Sequence, residues 1–234
     1  NGFDKPLYLE STDKDGKLKA HVYAVLDQSY ATVRSELQRP ERWCDILIMH
    51  PNTKYCRPQV EHAGTALNVA IGRKSAQQLE QSYRVHFAFD VQSVDEHHLG
   101  VFLQAGKGPF GTRDYRILLE AVPLPTGQTF IHFAYSYAYG TAAKLALLAY
   151  LNTKGSSKVG FTVTGRDENG QPAYIRGLRG LIERNVMRYY LAIDAHFGAL
   201  SAPAAARISA SRSSARTSSS ASPAIRRRIS FSGR

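Results

Sequence analysis

Four runs of period-two alternation follow one another between Tyr83 and Tyr139, and a single long helical stripe closes the ordered part of the chain. The runs are 83–91, 100–105, 113–122 and 129–139, and the stripe falls within 178–200. Alternation at period two places one set of side chains on each side of a strand. Recurrence at helical spacing gives a helix one apolar face. Strands of this kind, joined by short turns, form an antiparallel sheet that must cover its apolar side. The long helix is the natural cover, so the chain is expected to be α+β, a curved antiparallel sheet wrapped on one amphipathic helix.

The faces sort consistently. Tyr83, Val85, Phe87, Phe89 and Val91 oppose Arg84, His86 and Asp90; Tyr115, Ile117, Leu119 and Ala121 oppose Asp114, Arg116 and Glu120; Ile131, Phe133, Tyr135, Tyr137 and Tyr139 oppose His132 and Ser136. The apolar and phenolic face is expected to meet the helix, and the titratable face to meet water. Junctions at 95–98, 106–109 and 123–127 carry Gly, Pro and Asp turn chemistry. In the helix, Leu178, Ile182, Val186, Tyr189, Tyr190, Ile193 and Phe197 form the stripe. Asn185 lies one turn before Tyr189 and is expected to point inward, whereas Arg184 and Arg188 read as a basic outer face.

Upstream, 1–16 reads as an irregular lead-in ending in a turn at Asp13–Gly16, and 17–26 as a first strand. Ser29 is a candidate N-cap for a short helix that Pro40 stops, and Pro40 opens a second helix, 41–49, carrying Trp43. Strands are expected at 53–58 and 65–73. A short helix at 141–152 is expected to carry Leu145, Leu148 and Leu151 in one band, followed by a strand at 158–164 and a turn at Glu168–Gly170.

Residues 201–234 are different in kind. They hold eleven Ser, eight Ala and seven Arg, no Lys and no acid. Too few large apolar groups are present to order such a segment. Its composition is that of a GC-rich gene read out of frame. The whole chain carries 30 Lys+Arg against 19 Asp+Glu. Seven of those cations belong to 201–234, which leaves 23 against 19 for 1–200, a net charge of only +4. A domain so mildly charged is not expected to bind a specific nucleic acid.

Two cysteines, Cys44 and Cys56, leave two readings open: a disulfide, or two free buried thiols. No second Cys or His pair has the spacing of a zinc site, and His97-His98 reads as a surface turn. No apolar run reaches the length of a membrane span. The chain begins with Asn1 and no signal peptide is visible. Export, to a bacterial periplasm, is the expected location, with the cytoplasm as the alternative.

The stretches VYAVLDQSYATVRSELQRPERWCDILIMH, GPFGTRDYRILLEAVPL and GLIERNVMRYYLAIDAHFGAL, in the order β–α–α–β, antiparallel strands, long helix, resemble the START / polyketide-cyclase superfamily over about 17–200. The resemblance implies a helix-grip fold and a cavity between sheet and helix for a lipid, polyketide, sterol or other apolar molecule. The helix at 141–152 departs from the minimal pattern. Expected ligand-contacting residues are Trp43, Phe87, Phe89, Tyr115, Ile117, Phe133, Tyr135, Tyr137, Asn185 and Tyr189. The expected function is binding or transport of an apolar or amphipathic small molecule by a monomer, with no cofactor, no metal and no catalytic residue. The rival is a cyclase- or hydrolase-type enzyme using Tyr135 or Tyr137 with His132.

Overall fold

The computed structural model describes residues 6–153 and 155–201. Eight strands form one antiparallel sheet: β1 (Leu7–Lys14), β2 (Lys17–Leu26), β3 (Thr53–Glu61), β4 (Gly64–Ile71), β5 (Tyr83–Val94), β6 (Leu99–Lys107), β7 (Arg113–Pro123) and β8 (Thr129–Ala138). Their spatial order is β1-β2-β8-β7-β6-β5-β4-β3, so β1 and β3 are the two edges. Two short helices, α1 (Tyr30–Leu37) and α2 (Pro40–Leu47), link β2 to β3; α3 (Thr141–Asn152) follows β8; α4 (Gly177–Ser201) is the long helix. This is the helix-grip architecture.

Register explains why the inner face is continuous. Ala20, Tyr135, Ile117, Leu103 and Phe89 are successive partners across β2, β8, β7, β6 and β5. The neighbouring row is Val22, Phe133, Leu119, Val101 and Val91. Most of these side chains are fully buried. A slip of one residue would turn each row to water, so burial fixes the pairing. On the opposite face the polar residues pair across strands: His132 Nδ1 lies 2.9 Å from Glu120 Oε2, and Tyr23 stacks on His132 with ring centres 4.6 Å apart. The division of faces expected from alternation holds.

α1 begins where Ser29 Oγ accepts from the Thr32 amide at 3.3 Å, the expected N-cap, and α2 begins at Pro40. In α4, Ile182, Val186 and Ile193 are fully buried, as the stripe predicts. Among the described residues, no helix is long and apolar enough to cross a membrane.

Several expectations need correction. The described part of 1–16 is not irregular: Leu7–Lys14 is a strand paired along its length with β2, turned by Asp15 and Gly16 at positive φ, while 1–5 lie outside the described residues. β3 continues past Pro58 to Glu61, because an edge strand tolerates the missing N–H. β4 ends at Ile71, short of the expected 73. The strand expected at 158–164 is displaced to β9 (Val163–Arg166), which pairs with β10 (Pro172–Tyr174) about the turn at 167–170. The amides of Phe161 and Thr162 are drawn away to the Glu183 carboxylate, and that of Gly160 to the Ile175 carbonyl. The leucine band of α3 is not uniformly inside: Leu145 is 65% exposed, whereas Leu151 is buried together with Ala143. The stretch 201–234, apart from the last residue of α4, lies outside the described residues.

Candidate functional site

The site is built on the concave row of aromatic residues. β7 enters it through an irregularity: Asp114 has φ 54, and the pairing with β8 shifts between Arg113 and Arg116. This bulge turns Tyr115 inward, where its ring stacks on Tyr137 at 5.1 Å and meets Phe87 edge-on at 6.3 Å. Tyr135 lies between, 6.2 Å from Tyr115 and 5.8 Å from Tyr137. From α4, Tyr189 reaches down to Tyr135 at 5.3 Å and Phe133 at 6.1 Å. Six expected residues (Phe87, Tyr115, Phe133, Tyr135, Tyr137, Tyr189) are thus one cluster. Ile117 is the strand partner of Tyr135, and Phe89 lies half-buried at the end of the same row.

The phenols differ in how they are satisfied. The Tyr115 hydroxyl lies 2.7 Å from Thr112 Oγ1. Those of Tyr135, Tyr137 and Tyr189 make no hydrogen bond among the described residues, yet none is sealed from a water-sized neighbour. Tyr135 and Tyr137 keep 6% and 4% of their surface accessible, and Tyr189 remains half-buried although rings surround it. A buried donor without a partner costs about 1–3 kcal/mol. Three hydroxyls without a protein partner among the described residues, carried on rings packed against one another, are therefore a place for a guest with polar atoms.

Burial pushes the Tyr115 phenol up to about 12, the Thr112 hydrogen bond only partly offsetting it. Burial likewise raises Tyr135, Tyr137 and Tyr189 well above the usual phenol range. All four are neutral O–H donors at physiological pH, suited to holding a ligand and unsuited to removing a proton.

Other expected residues lie elsewhere. Trp43 is 1% exposed and donates Nε1–H to the Leu37 carbonyl at 2.7 Å, a core position beneath α1. Tyr83, expected inward, is 44% exposed at the start of β5 and packs on Phe110 at 5.0 Å. Tyr139 is buried but donates to Asp13 at 2.5 Å. Cys44 on α2 and Cys56 on β3 are joined in a disulfide, with Cα atoms 5.2 Å apart. Asn185 does not face the tyrosines with a free amide oxygen; that atom accepts from Arg188 at 3.0 Å. Arg184 and Arg188 are not an outer face: both are half-buried, and Arg184 donates to the Val159 carbonyl at 3.0 Å. His132 sits on the solvent side of the sheet, opposite the phenols it was paired with in the enzyme reading.

Two residues were missed by sequence reasoning. His50, next to Pro51, is buried against the Tyr189 ring at 4.9 Å, and burial together with the charges of Arg188 and Lys74 lowers it to about 4. Glu183 is fully buried inside α4. Its carboxylate accepts from Ser11 Oγ (2.6 Å), Thr162 Oγ1 (2.7 Å) and the amides of Phe161 (2.7 Å) and Thr162 (3.0 Å). Burial opposes its ionisation, but these donors prevail and hold its pKa below the ordinary value. No sequence signal marks either residue.

A groove of about 180 Å³ opens on the solvent side of the sheet beside Lys17, Lys19, His21 and Arg116. Among the described residues, no group of three or more His, Cys, Asp or Glu is arranged to hold a metal.

Fold and site together define a helix-grip protein with an aromatic, phenol-bearing interior. Solved structures with similarity to the chain include a norcoclaurine synthase point mutant from Thalictrum flavum, in complex with a transition-state analogue (14% identity, TM-score 0.41, covering 63% of this chain and 88% of that one). Others are Ara h 8.0201 (10%, 0.39, 60% and 92%) and an uncharacterised protein from Bacillus thuringiensis (9%, 0.37, 57% and 91%). The fold assignment rests on the strand order and helix placement, not on likenesses of this size. No protein-family model matches the sequence, and no curated protein does.

Proposed function

We propose that this chain is a monomeric carrier that binds an apolar or amphipathic, lipid-like small molecule between the sheet and α4, without catalysing a reaction. The observation that carries the reading is the trio of inward hydroxyls, Tyr135, Tyr137 and Tyr189, set in apolar walls with no protein partner among the described residues. A dry core would leave them at a cost; an amphipathic guest satisfies them. Their raised pKa values support binding over acid–base work. The Cys44–Cys56 bridge supports an oxidising location, and we assign the protein to an exported, periplasmic-type compartment.

The test is titration with a neutral lipophilic fluorophore, such as N-phenyl-1-naphthylamine, alongside native mass spectrometry for co-purified ligand. Tyr135→Ala combined with Phe87→Ala should weaken probe binding about tenfold or more, the loss of two buried aromatic contacts. Undiminished binding by a folded double variant removes the proposal.

A further inference from the structure

Beside the tyrosines, cations from three separate segments lie near enough for the charges of Arg184, Arg188 and Lys158 to act on Lys74. Arg184 and Arg188 are one turn apart on α4, Lys158 lies in the loop after α3, and Lys74 lies in the link between β4 and β5. Arg184 places Nη1 on the Val159 carbonyl at 3.0 Å, while its Nη2 is buried without an acceptor. Arg188 donates to Asn185 Oδ1 at 3.0 Å. Lys158 donates to the Tyr150 hydroxyl at 2.8 Å, its Nζ 5.1 Å from the ring centre. Among the described residues, no carboxylate forms an ion pair with any of the four. The nearest acid in sequence, Glu183, is already occupied by four donors from Ser11, Phe161 and Thr162.

Like charges gathered at the edge of a low-dielectric interior repel one another, and the half-buried Arg184 and Arg188 also lose hydration. Burial, and then the charges of Arg188 and Lys158, lower the Lys74 pKa, with Tyr150 opposing; burial and the charge of Arg188 act in the same direction on Arg184, and Tyr150 and Glu183 offset them only in part. An oxyanion relieves both costs, and a guanidinium fork with an orphaned N–H is the group best shaped to receive one. The cluster adjoins the aromatic site directly. Arg188 precedes Tyr189, whose ring bridges His50 at 4.9 Å and Tyr135 at 5.3 Å.

We propose that Lys74, Lys158, Arg184 and Arg188 form an oxyanion-binding site, so that the guest is an apolar molecule carrying a carboxylate or phosphate. This rests on the binding reading above and narrows its ligand to a chemical class. The apolar part lies among the tyrosines and the charged head at the cations.

The experiment uses the full chain, so that the arginines of 201–234 are common to every sample. Laurate, dodecyl phosphate and the neutral isostere dodecanol compete against N-phenyl-1-naphthylamine, and inorganic phosphate is titrated separately by thermal shift. Laurate, dodecyl phosphate or both should displace the probe at concentrations about tenfold below dodecanol, the value of one charge-assisted hydrogen bond. Which of the two is favoured identifies the head group. In Arg188→Gln and in the exposed-site variant Lys74→Gln, the ratio of anion to dodecanol affinity should fall to about twofold, as charge-assisted bonds are lost. Equal displacement by all three in the unaltered protein overturns the anion site and leaves the binding reading standing. If neither the probe nor any alkyl ligand binds the folded protein, the binding reading is wrong and inorganic phosphate decides. Stabilisation by phosphate that disappears in Arg188→Gln upholds an anion site on its own, and no stabilisation overturns it.

Discussion

Ser11 donates its hydroxyl hydrogen to the carboxylate of Glu183 at 2.6 Å, across 172 positions of the chain. The bond fastens the edge strand β1 to the second turn of α4. Arg179 adds a donor to the same Ser11 oxygen at 3.2 Å, and Glu183 reaches on to Phe161 and Thr162. Gly160 and Gly180 permit this approach, since a Cβ on Gly180 would meet the Ile175 carbonyl and the Gly160 amide.

Glu183→Gln replaces a fully buried charged acceptor by an amide whose NH₂ faces other donors. A loss of about 2 kcal/mol in unfolding free energy is expected, the range for hydrogen bonds to a charged group. Amide exchange at Phe161 and Thr162 should accelerate together. Urea denaturation and hydrogen-exchange NMR measure both, and unchanged protection at those two amides would contradict the assignment.

His50 makes the fold sensitive to acid. Its folded pKa of about 4 lies below the ordinary 6.5, because burial, then Arg188 and Lys74, disfavour the imidazolium. Between those values the unfolded chain binds more protons than the native one, so stability rises with pH through the window. The contribution is fully present above pH 6.5 and amounts to about 3 kcal/mol lost by pH 4. Glu183, also depressed, acts in the same direction at lower pH. Denaturation midpoints from pH 7.5 to 4 should fall steeply for the unaltered protein and less so for His50→Asn, whose side-chain oxygen can still accept from the Asn52 amide as Nδ1 does at 3.2 Å.

Reduction of Cys44–Cys56 should cost about 3 kcal/mol by the loop-closure argument for a bridge of twelve positions. Chemical denaturation with and without reductant checks it, and Cys44→Ser with Cys56→Ser should reproduce the reduced state.

Tyr135→Phe should act oppositely on stability and on binding. Removing a hydroxyl that has no protein partner but keeps a little accessible surface should leave the free protein as stable or more so, by up to about 1 kcal/mol. The same change removes a donor from the guest, so affinity for an amphipathic ligand should fall while affinity for a pure hydrocarbon holds. Thermal unfolding and calorimetric titration separate the two effects.

The sheet interior was readable because β5, β7 and β8 each have one polar and one apolar face, and period two needs no knowledge of partners. β1 was not, because on the row it shares with Leu7 and Leu9 two positions, Ser11 and Asp13, are polar. Ser11 is buried only because Glu183 waits in α4, and Asp13 receives the Tyr139 hydroxyl at 2.5 Å. Both partners lie more than a hundred residues away, beyond any local pattern. The same holds for Arg184 and Arg188: seen on one helix they belong to a solvated face, yet both are half-buried, and the Val159 carbonyl, from the loop after α3, accepts from Arg184. Tyr83 obeys its alternation but lies at the start of its strand, where exposure prevails.

The two strands that end the sheet are both fastened from the side, β1 through Ser11 to Glu183 and β3 through Cys56 to Cys44. An open sheet edge is a template on which another chain can add a strand, and repeated addition is how soluble sheets become fibres. A strand held by a covalent bridge or a buried carboxylate cannot slide or peel to offer its backbone groups in register. The links that shape the interior therefore also act as guards against self-association. Loss of either one should appear first as slow, concentration-dependent precipitation of protein that is still folded.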